Sequence, residues 1–406
     1  MKRFNDLKWG RKATSVVTAS MLMTMGAMVV TSSPSGAASK APISIGSLET
    51  VTGPLAFYGV PEANAIKLAV DLQNAKGGVN GHKLVLHAMD PAGSTSTAVT
   101  ETQQLIEQDH VKVFIGGGTS SGIAEAINPM LTHAGIFFAS GEADPGVVNP
   151  ISQHPTTFQA TLSSSTVVTE MLKFLESKGI KDVAWFSDTS AYAQGGLVAA
   201  QYLAANYGIQ INGFTYDPTV TDLTPQLTQA SQKLASDNLG KTAYVSWTPY
   251  PTGVTFMQNI GTLGLNKTSL VMQGFTYSNA TLMGEASTSA DGVYVAASKV
   301  TVASSLPAKD PQRATLAAFS KAYQKAYNSP ISIYAAEAYD AAEVAIQALV
   351  RTKGSTNARA MAKADVKTPM VGVLGTYKYS AKSHYGLNPA DVFMTQWNGT
   401  SFVLQK

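Results

Sequence analysis

The chain has 406 residues, of which 45% are hydrophobic and 14% are charged. This composition is sufficient for two ordinary hydrophobic cores and excludes an intrinsically disordered protein. The chain has no cysteine, which excludes disulfides, thiolate nucleophiles, thiol-bound metals and a lipid anchor on cysteine.

Residues 1–38 have the layout of a secretory signal peptide. Basic residues begin the chain: Lys2, Arg3, Lys8, Arg11 and Lys12. A weakly polar run over 13–30 and small residues up to Ala38 follow. A single membrane anchor is the alternative, because a span needs roughly 20 apolar residues. Hydroxyl residues within the run and small residues behind it favour cleavage, which predicts an exported protein, periplasmic or extracellular.

Cleavage would also change the charge of the protein. The leader carries five basic residues and Asp6, a net +4, so its removal turns the formal charge of +3 into −1. The basic isoelectric point therefore comes from the leader. We expect neither nucleic acid nor an anionic membrane surface as a partner of the mature chain.

Short apolar runs alternate with amphipathic stretches along the mature chain, which is typical of parallel sheets with crossover helices. Strands are predicted at 43–47, 84–89, 111–115, 136–139, 183–187, 243–247, 270–273 and 293–296. Helices are predicted at 62–75, 123–132 and 163–178, behind an Asp222 cap, and along the apolar stripe of Leu316, Phe319, Tyr323 and Tyr327. The predicted fold is α/β, with two Rossmann-like lobes and no long linker between them.

The clearest local motif is the turn at 116–122, which reads Gly-Gly-Gly-Thr-Ser-Ser-Gly between a predicted strand and a predicted helix. In an open parallel sheet this turn exposes helix N–H groups and hydroxyls to a ligand anion. Equally, Ser120 or Ser121 could do no more than cap the helix. No lysine follows as in a phosphate-binding loop, so a nucleotide is not expected.

Catalysis and metal binding have little support in the sequence. The six histidines are scattered, with no pair at the i, i+4 spacing of two ligands to one metal. We therefore predict no metal, no cofactor and no enzyme. A secreted hydrolase with a Ser, His and Asp or Glu set is the least favoured alternative.

The opening of the mature chain resembles a known family. The motifs are Ile-Ser-Ile-Gly at 43–46, Thr-Gly-Pro at 52–54, Tyr-Gly at 58–59, Ala-Val-Asp at 69–71 and Gly-Gly-Val-Asn-Gly at 77–81. Their order and spacing are similar to the leucine/isoleucine/valine-binding protein family of type I periplasmic binding proteins, and the likeness extends over essentially the whole mature chain.

The resemblance implies a fold of two lobes joined by three hinge crossovers, near Phe158, Val295 and Val373. The amino-terminal lobe would comprise 42–159 and 297–372, and the carboxy-terminal lobe 160–296 and 373–406. It implies an extracytoplasmic solute-binding protein of an ABC importer, working as a monomer with membrane permease subunits and closing on a small molecule. A sensor or scavenger that reports to a receptor is the alternative within the same class.

The resemblance also implies a binding site. Ser120 matches the hydroxyl that receives a ligand carboxylate, and Tyr58 and Tyr192 match aromatic walls from opposite lobes. The expected ligand-binding set is Tyr58, Ser120, Ser121, Glu142, Ala143, Asp144, Tyr192, Trp247, Tyr250 and Phe275.

Two departures from the family pattern bear on the ligand. Acids stand at Glu142 and Asp144, in the loop that completes the carboxylate pocket, and no acid stands at 274–277, where amino-acid binders pair the ligand ammonium. An amino acid, an aromatic acid, an amide or a urea-like solute is therefore predicted.

Overall fold

The computed structural model describes residues 40–303 and 306–405. The predicted signal peptide lies outside these residues. Within them, no helix combines the length and the apolar character that a bilayer span requires.

The first sheet has five parallel strands in the order β2-β1-β3-β4-β5. Their bounds are β1 Lys40–Leu48, β2 His82–Met89, β3 Val113–Gly116, β4 Phe137–Ser140 and β5 Thr157–Gln159. The strands β3 and β4 are wholly buried and, apart from Ser140 at the end of β4, apolar, as expected of parallel strands covered on both faces. The sheet order brings the carboxyl ends of β1, β3 and β4 together.

Helices from two separate stretches of the chain cover this sheet. The first stretch contains α1 Ala56–Ala75, α2 Thr95–Glu107 and α3 Ser121–His133. The second stretch, near the end of the chain, contains α10 Gln312–Tyr327, α11 Ile333–Arg351 and α12 Ala358–Lys367. Helix α11 packs against α1, β3 and β4. Residues more than 200 positions apart in sequence therefore form one layer.

The second sheet has seven strands in the order β14-β13-β10-β9-β8-β6-β7. Its bounds are β6 Ile180–Asp188, β7 Gln210–Tyr216, β8 Lys241–Ser246, β9 Leu270–Gln273, β10 Tyr294–Ala297, β13 Phe393–Trp397 and β14 Phe402–Leu404. The last two strands pair antiparallel and the others parallel. The helices beside this sheet are α4 Ser164–Ser177, α5 Ala191–Leu203, α6 Thr224–Asp237, α7 Thr252–Thr262, α8 Leu265–Thr268 and α9 Ala280–Glu285. We call the five-stranded sheet with its helices the first half of the molecule, and the seven-stranded sheet with its helices the second half. The predicted α/β class, with parallel sheets flanked by helices, is confirmed.

The chain passes between the two sheets behind β5, behind β10 and ahead of β13. A two-stranded antiparallel sheet of β11 Met370–Val371 and β12 Thr376–Tyr377 lies beside the last passage. There, fully buried Asp340 accepts hydrogen bonds from the backbone nitrogens of Val373 and Leu374, at 2.8 and 2.9 Å. The lobe boundaries given above remain predictions.

Most predicted elements are present, with two kinds of exception. All eight predicted strands occur, but the edge strand β7 was missed because Asn212 and Gly213 interrupt its alternation. Short β5 and β11 to β14 were also missed. Helix α1 begins at Ala56 and not at 62, because the helix continues through Pro61. Helix α6 begins at Thr224, whose backbone nitrogen donates to Asp222.

Candidate functional site

The glycine turn behind β3 makes room for carboxyl groups. A Cβ atom on Gly116 would lie 2.0 Å from Oε1 of Glu49, and one on Gly117 would lie 2.5 Å from Cγ of Glu142. Gly116 also has a φ of 105°, which a side chain would strain. The two glycines therefore leave space for two glutamates, Glu49 behind β1 and Glu142 behind β4, the strands on either side of β3.

Glu49 and Glu62 meet at one hydroxyl group. The Thr119 Oγ1 atom lies 2.9 Å from a carboxyl oxygen of each glutamate and also accepts a hydrogen bond from the backbone nitrogen of Thr50. A hydroxyl has only one proton to donate, so the two carboxyl groups depend on a further proton. Burial first of all, then repulsion by Glu62, raises the pKa of Glu49 well above its usual value.

The two serines of the turn have different roles. Ser120 caps α3, and its Oγ accepts a hydrogen bond from the backbone nitrogen of Ile123 at 3.3 Å. Ser121 is buried and donates to Glu142 at 3.3 Å. The adjacent carboxyl groups of Glu49 and Glu142 would repel an anion at this turn only in their ionised form, so the anion site stays a prediction.

Residues 118–122 also fit the Gly-x-Ser-x-Gly pattern of serine hydrolases. The central serine is Ser120, whose oxygen is engaged in the helix cap. Among the residues that the structure describes, the hydrogen-bonded histidine rings contact Ala41 and Thr157, and none contacts Ser120. The pattern therefore has a structural explanation in the cap of α3.

The loop behind β4 points its two acids in different directions. The pKa of Glu142 is raised well above its usual value, first by burial and then by repulsion from Glu62 and Glu337. Asp144 instead accepts a hydrogen bond from Gly146 and faces Glu125, at a cavity of about 460 Å³ beside α5. Glu142 thus lies with Glu49 and Glu62 in one group of carboxyl groups, whereas Asp144 lies at the edge of this group.

Ala143 contributes through its backbone. Its carbonyl oxygen accepts hydrogen bonds from the nitrogen of Ser164, at 3.0 Å, and from the Ser164 hydroxyl, at 3.2 Å. Fully buried Gln159 donates through Nε2 to the carbonyl oxygens of Glu142 and Asp144. The loop is therefore fixed to the first crossing between the sheets.

An aromatic cluster joins the two halves of the molecule. The backbone nitrogen of Tyr250, behind β8, donates to the hydroxyl of Tyr58, on α1. Phe57 stacks on Tyr250 with ring centroids 5.7 Å apart, and Tyr334 packs edge-on against Tyr58 at 4.8 Å. Two predicted residues, Tyr58 and Tyr250, are thus brought into direct contact.

Tyr192 belongs to a second set of contacts. Its ring stacks on Trp247 at 5.3 Å, and its hydroxyl accepts a hydrogen bond from Thr276. The Thr276 carbonyl in turn accepts from the hydroxyl of Tyr334, on α11, at 2.7 Å. Trp247 and Phe275 are almost completely buried, with 1% and 4% exposure. They therefore pack within the second half and support the aromatic wall that includes Tyr192.

Glu337 is the fourth glutamate of the group formed by Glu49, Glu62 and Glu142, and the sequence analysis missed it. It is 8% exposed, accepts a hydrogen bond from Thr161, and has a pKa raised well above its usual value, chiefly by burial. Its position on α11 gives no sequence signal, because α11 reaches the first sheet only through the fold. Glu49, Glu62, Phe57 and Tyr334 were missed as well, although Glu62 stands four residues behind the Tyr-Gly motif's tyrosine.

The sequence matches a family model described as "Periplasmic binding protein" over residues 42–401. The chain belongs to the periplasmic binding protein family. A relative named Leu/Ile/Val-binding protein homolog 3, from Brucella melitensis biotype 1, is 27% identical over 90% of this chain and 94% of its own length. The resemblance to the leucine/isoleucine/valine-binding type I proteins is thereby confirmed.

Solved structures of this family share the fold. The branched-chain amino acid transporter substrate binding protein LivJ of Streptococcus pneumoniae, solved with isoleucine, superposes with a TM-score of 0.72 at 23% identity, covering 90% of this chain and 100% of that one. A solute binding protein of an ABC transporter from Rhodopseudomonas palustris BisB5, solved with 3,4-dihydroxybenzoic acid, gives 0.72 at 19%, covering 90% and 96%. Members of the family are substrate-binding and transport proteins.

Proposed function

We propose that this protein is the extracytoplasmic solute-binding component of an ABC importer. It takes a small polar ligand between its two sheet-containing halves and closes on it by bending at the crossings. The observation that carries the proposal is the hydrogen bond between Tyr58 and Tyr250, since it joins the two halves at the carboxyl ends of their strands, where open α/β sheets bind ligands.

A second connection supports the same conclusion. The chain of contacts from Tyr192 through Thr276 to Tyr334 also runs from the second half to the first. A ligand shifts such a protein toward the closed form only by contacting both halves at once. Groups from both halves already meet here, so a bound solute would contact both.

The chemical class of the ligand has to be inferred from the side chains of the site. The two similar structures described above hold an amino acid and an aromatic acid on the same fold, so the fold alone does not select the solute. The sequence favours an amino acid, aromatic acid, amide or urea-like molecule, and the small polar solute is bound without turnover. The protein would be exported, act as a monomer and deliver its ligand to permease subunits.

A thermal-shift screen tests this function directly. A ligand that binds only the folded protein raises the melting temperature in proportion to RT ln(1 + [L]/Kd). We expect a shift with at least one small polar solute, a smaller radius of gyration by X-ray scattering in its presence, and recovery of the solute unchanged. Binding without compaction would contradict hinge closure, and chemical conversion of the solute would contradict a pure binding role.

A further inference from the structure

Four glutamates from four different elements converge at the carboxyl end of the first sheet. They are Glu49 behind β1, Glu62 on α1, Glu142 behind β4 and Glu337 on α11. We call them the glutamate cluster. The Thr119 hydroxyl lies between Glu49 and Glu62. Glu142 lies against Gly117 and Glu337 lies against Gly141, and Glu49 and Glu337 are at least nine-tenths buried.

Within residues 40–303 and 306–405 the glutamate cluster has no cationic partner. Among the described residues, every lysine, arginine or histidine that forms an ion pair does so with an acid outside the cluster. The side-chain donors to the cluster are the hydroxyl groups of Thr119, Ser121 and Thr161. Buried carboxylates are normally paired or bound to a cation, so this group of acids is incomplete on its own.

Aromatic rings accompany the acids at helical spacing. On α1, Tyr58 precedes Glu62 by four residues, and on α11, Tyr334 precedes Glu337 by three. Residues at these spacings share a helix face. The two tyrosines pack against each other at 4.8 Å. Each helix therefore directs one ring and one carboxyl group toward the same region, the combination that attracts organic cations.

One more buried acceptor adjoins the cluster. Gln159 is completely buried and donates through Nε2 to the backbone of Glu142 and Asp144, while its Oε1 atom has no donor among the described residues. The Gln159 side chain is thus held on the loop that contains Glu142, and its unfilled acceptor would be satisfied by a donor such as a ligand N–H group.

We propose that the cleft binds a small organic cation, a molecule with an ammonium or guanidinium group and no carboxylate, with its charge at the glutamate cluster and its carbon skeleton on the tyrosines. This inference rests on the proposed function, since it names the solute of the same cleft. A carboxylate on the ligand would be repelled by the cluster, which separates this solute from a zwitterionic amino acid.

Binding of such a cation should release protons. Burial first of all raises the pKa of Glu49, Glu142 and Glu337 well above the usual value, so these groups retain protons while no cation is near. A bound cation favours the charged carboxylates. A neutral amide would instead use the protonated carboxyl groups as donors and release no proton.

The test uses the purified protein and four solutes that share a 3-methylbutyl group. They are 3-methylbutylamine, leucine, 4-methylpentanoate and 4-methylpentanamide, with agmatine as a second cation. Calorimetric titration at pH 7 in phosphate and in Tris gives the affinity and the number of protons released. We expect 3-methylbutylamine or agmatine to bind at least about tenfold more tightly than leucine, the difference of roughly one charged hydrogen bond, with net proton release.

Matched variants locate the cation. Glu337→Gln and Glu142→Gln keep the side-chain shape and should weaken amine binding by about tenfold or more and reduce proton release. Glu176→Gln, at an exposed position on α4, should change neither. Cooperative unfolding at a melting temperature no lower than that of the parent protein would confirm that the variants fold.

The outcomes separate this inference from the proposed function. Tighter binding of leucine, the acid or the amide, with compaction on binding, would overturn the cation and leave the solute-binding function intact. Binding of none of the solutes, and no shift with any member of the wider screen, would overturn both.

Discussion

The hydroxyl oxygen of Tyr58 lies 2.5 Å from the backbone nitrogen of Tyr250, so a helix of the first half and a loop of the second share a hydrogen bond. Tyr58 is 7% exposed, and Phe57 covers the same loop by stacking on the Tyr250 ring. This contact exists only while the two halves are together. It is therefore part of the free energy of closure.

Replacing Tyr58 by phenylalanine should weaken ligand affinity without harming the fold. The change removes one interhalf hydrogen bond, worth about 1 kcal/mol or a five- to tenfold loss of affinity. Titration calorimetry measures the loss, and X-ray scattering measures the closed fraction. Tyr327→Phe is the control, since that hydroxyl donates to Asn64 within the first half. An equal loss in both variants would contradict a role for Tyr58 in closure.

Gly195→Ala should obstruct closure by a steric contact. A Cβ atom at Gly195, on α5, would lie 1.8 Å from Oδ2 of Asp144, on the loop behind β4. Alanine also favours a helix over glycine by roughly 1 kcal/mol, so the melting temperature should stay equal or rise while affinity falls about tenfold or more. The double variant with Asp144→Ala should regain affinity.

Gly122→Ala is the matched control for this change. Its Cβ atom would lie an ordinary 3.8 Å from the Cβ atom of Ala191, again on α5. We expect its ligand affinity to stay close to that of the parent protein. Similar losses at Gly122 and Gly195 would show that any added methyl group here is harmful, and the specific contact with Asp144 would lose its support.

The ligand-free protein should be more stable at mildly acidic pH than above neutrality. Burial raises the pKa of Asp340 from 3.8 to about 7 and also raises the pKa of Glu49. Between the unfolded and folded pKa values the folded state binds more protons, so stability is fully present below pH 4 for these groups and is lost as pH rises toward 7. The slope is roughly 1.4 kcal/mol per pH unit for each such group.

Urea unfolding at pH 5, 6, 7 and 8 measures this slope. Glu49→Gln removes one of the titrating groups and should flatten the dependence, gaining stability at pH 8 relative to pH 5. Glu107→Gln, at an exposed position, should follow the parent curve. A parent protein that becomes steadily more stable from pH 5 to 8 would show that these carboxyl groups are charged in the folded state.

Asp340→Ala should destabilise the fold at the third passage between the sheets. The carboxylate accepts hydrogen bonds from the nitrogens of Val373 and Leu374 and from the hydroxyl of Tyr377. Leaving such buried donors unpaired costs about 1–3 kcal/mol each. Asp340→Asn retains one oxygen and should lose less. Equal unfolding free energies for the two variants would contradict this account.

Local sequence patterns were enough to predict the class of the fold, the family and half of the candidate site. Apolar runs and helix signals are local, so β1, β3 and β4 could be located from neighbouring residues alone. The Tyr-Gly motif and the glycine turn likewise predicted Tyr58 and Ser121 as residues of the site. The edge strand β7 was missed, because Asn212 and Gly213 interrupt its apolar alternation.

The charge of the site, in contrast, depends on contacts that the fold creates. Glu49, Glu142 and Glu337 are separated by up to 288 positions in sequence, and each looks like an ordinary surface acid when its neighbours along the chain are considered. Packing of α11 on β3 and β4 brings Glu337 beside Gly141, in the loop behind β4 that contains Glu142. Burial and mutual repulsion depend on distance through space, which a sequence does not contain. The turn that predicted an anion is thus surrounded by carboxyl groups.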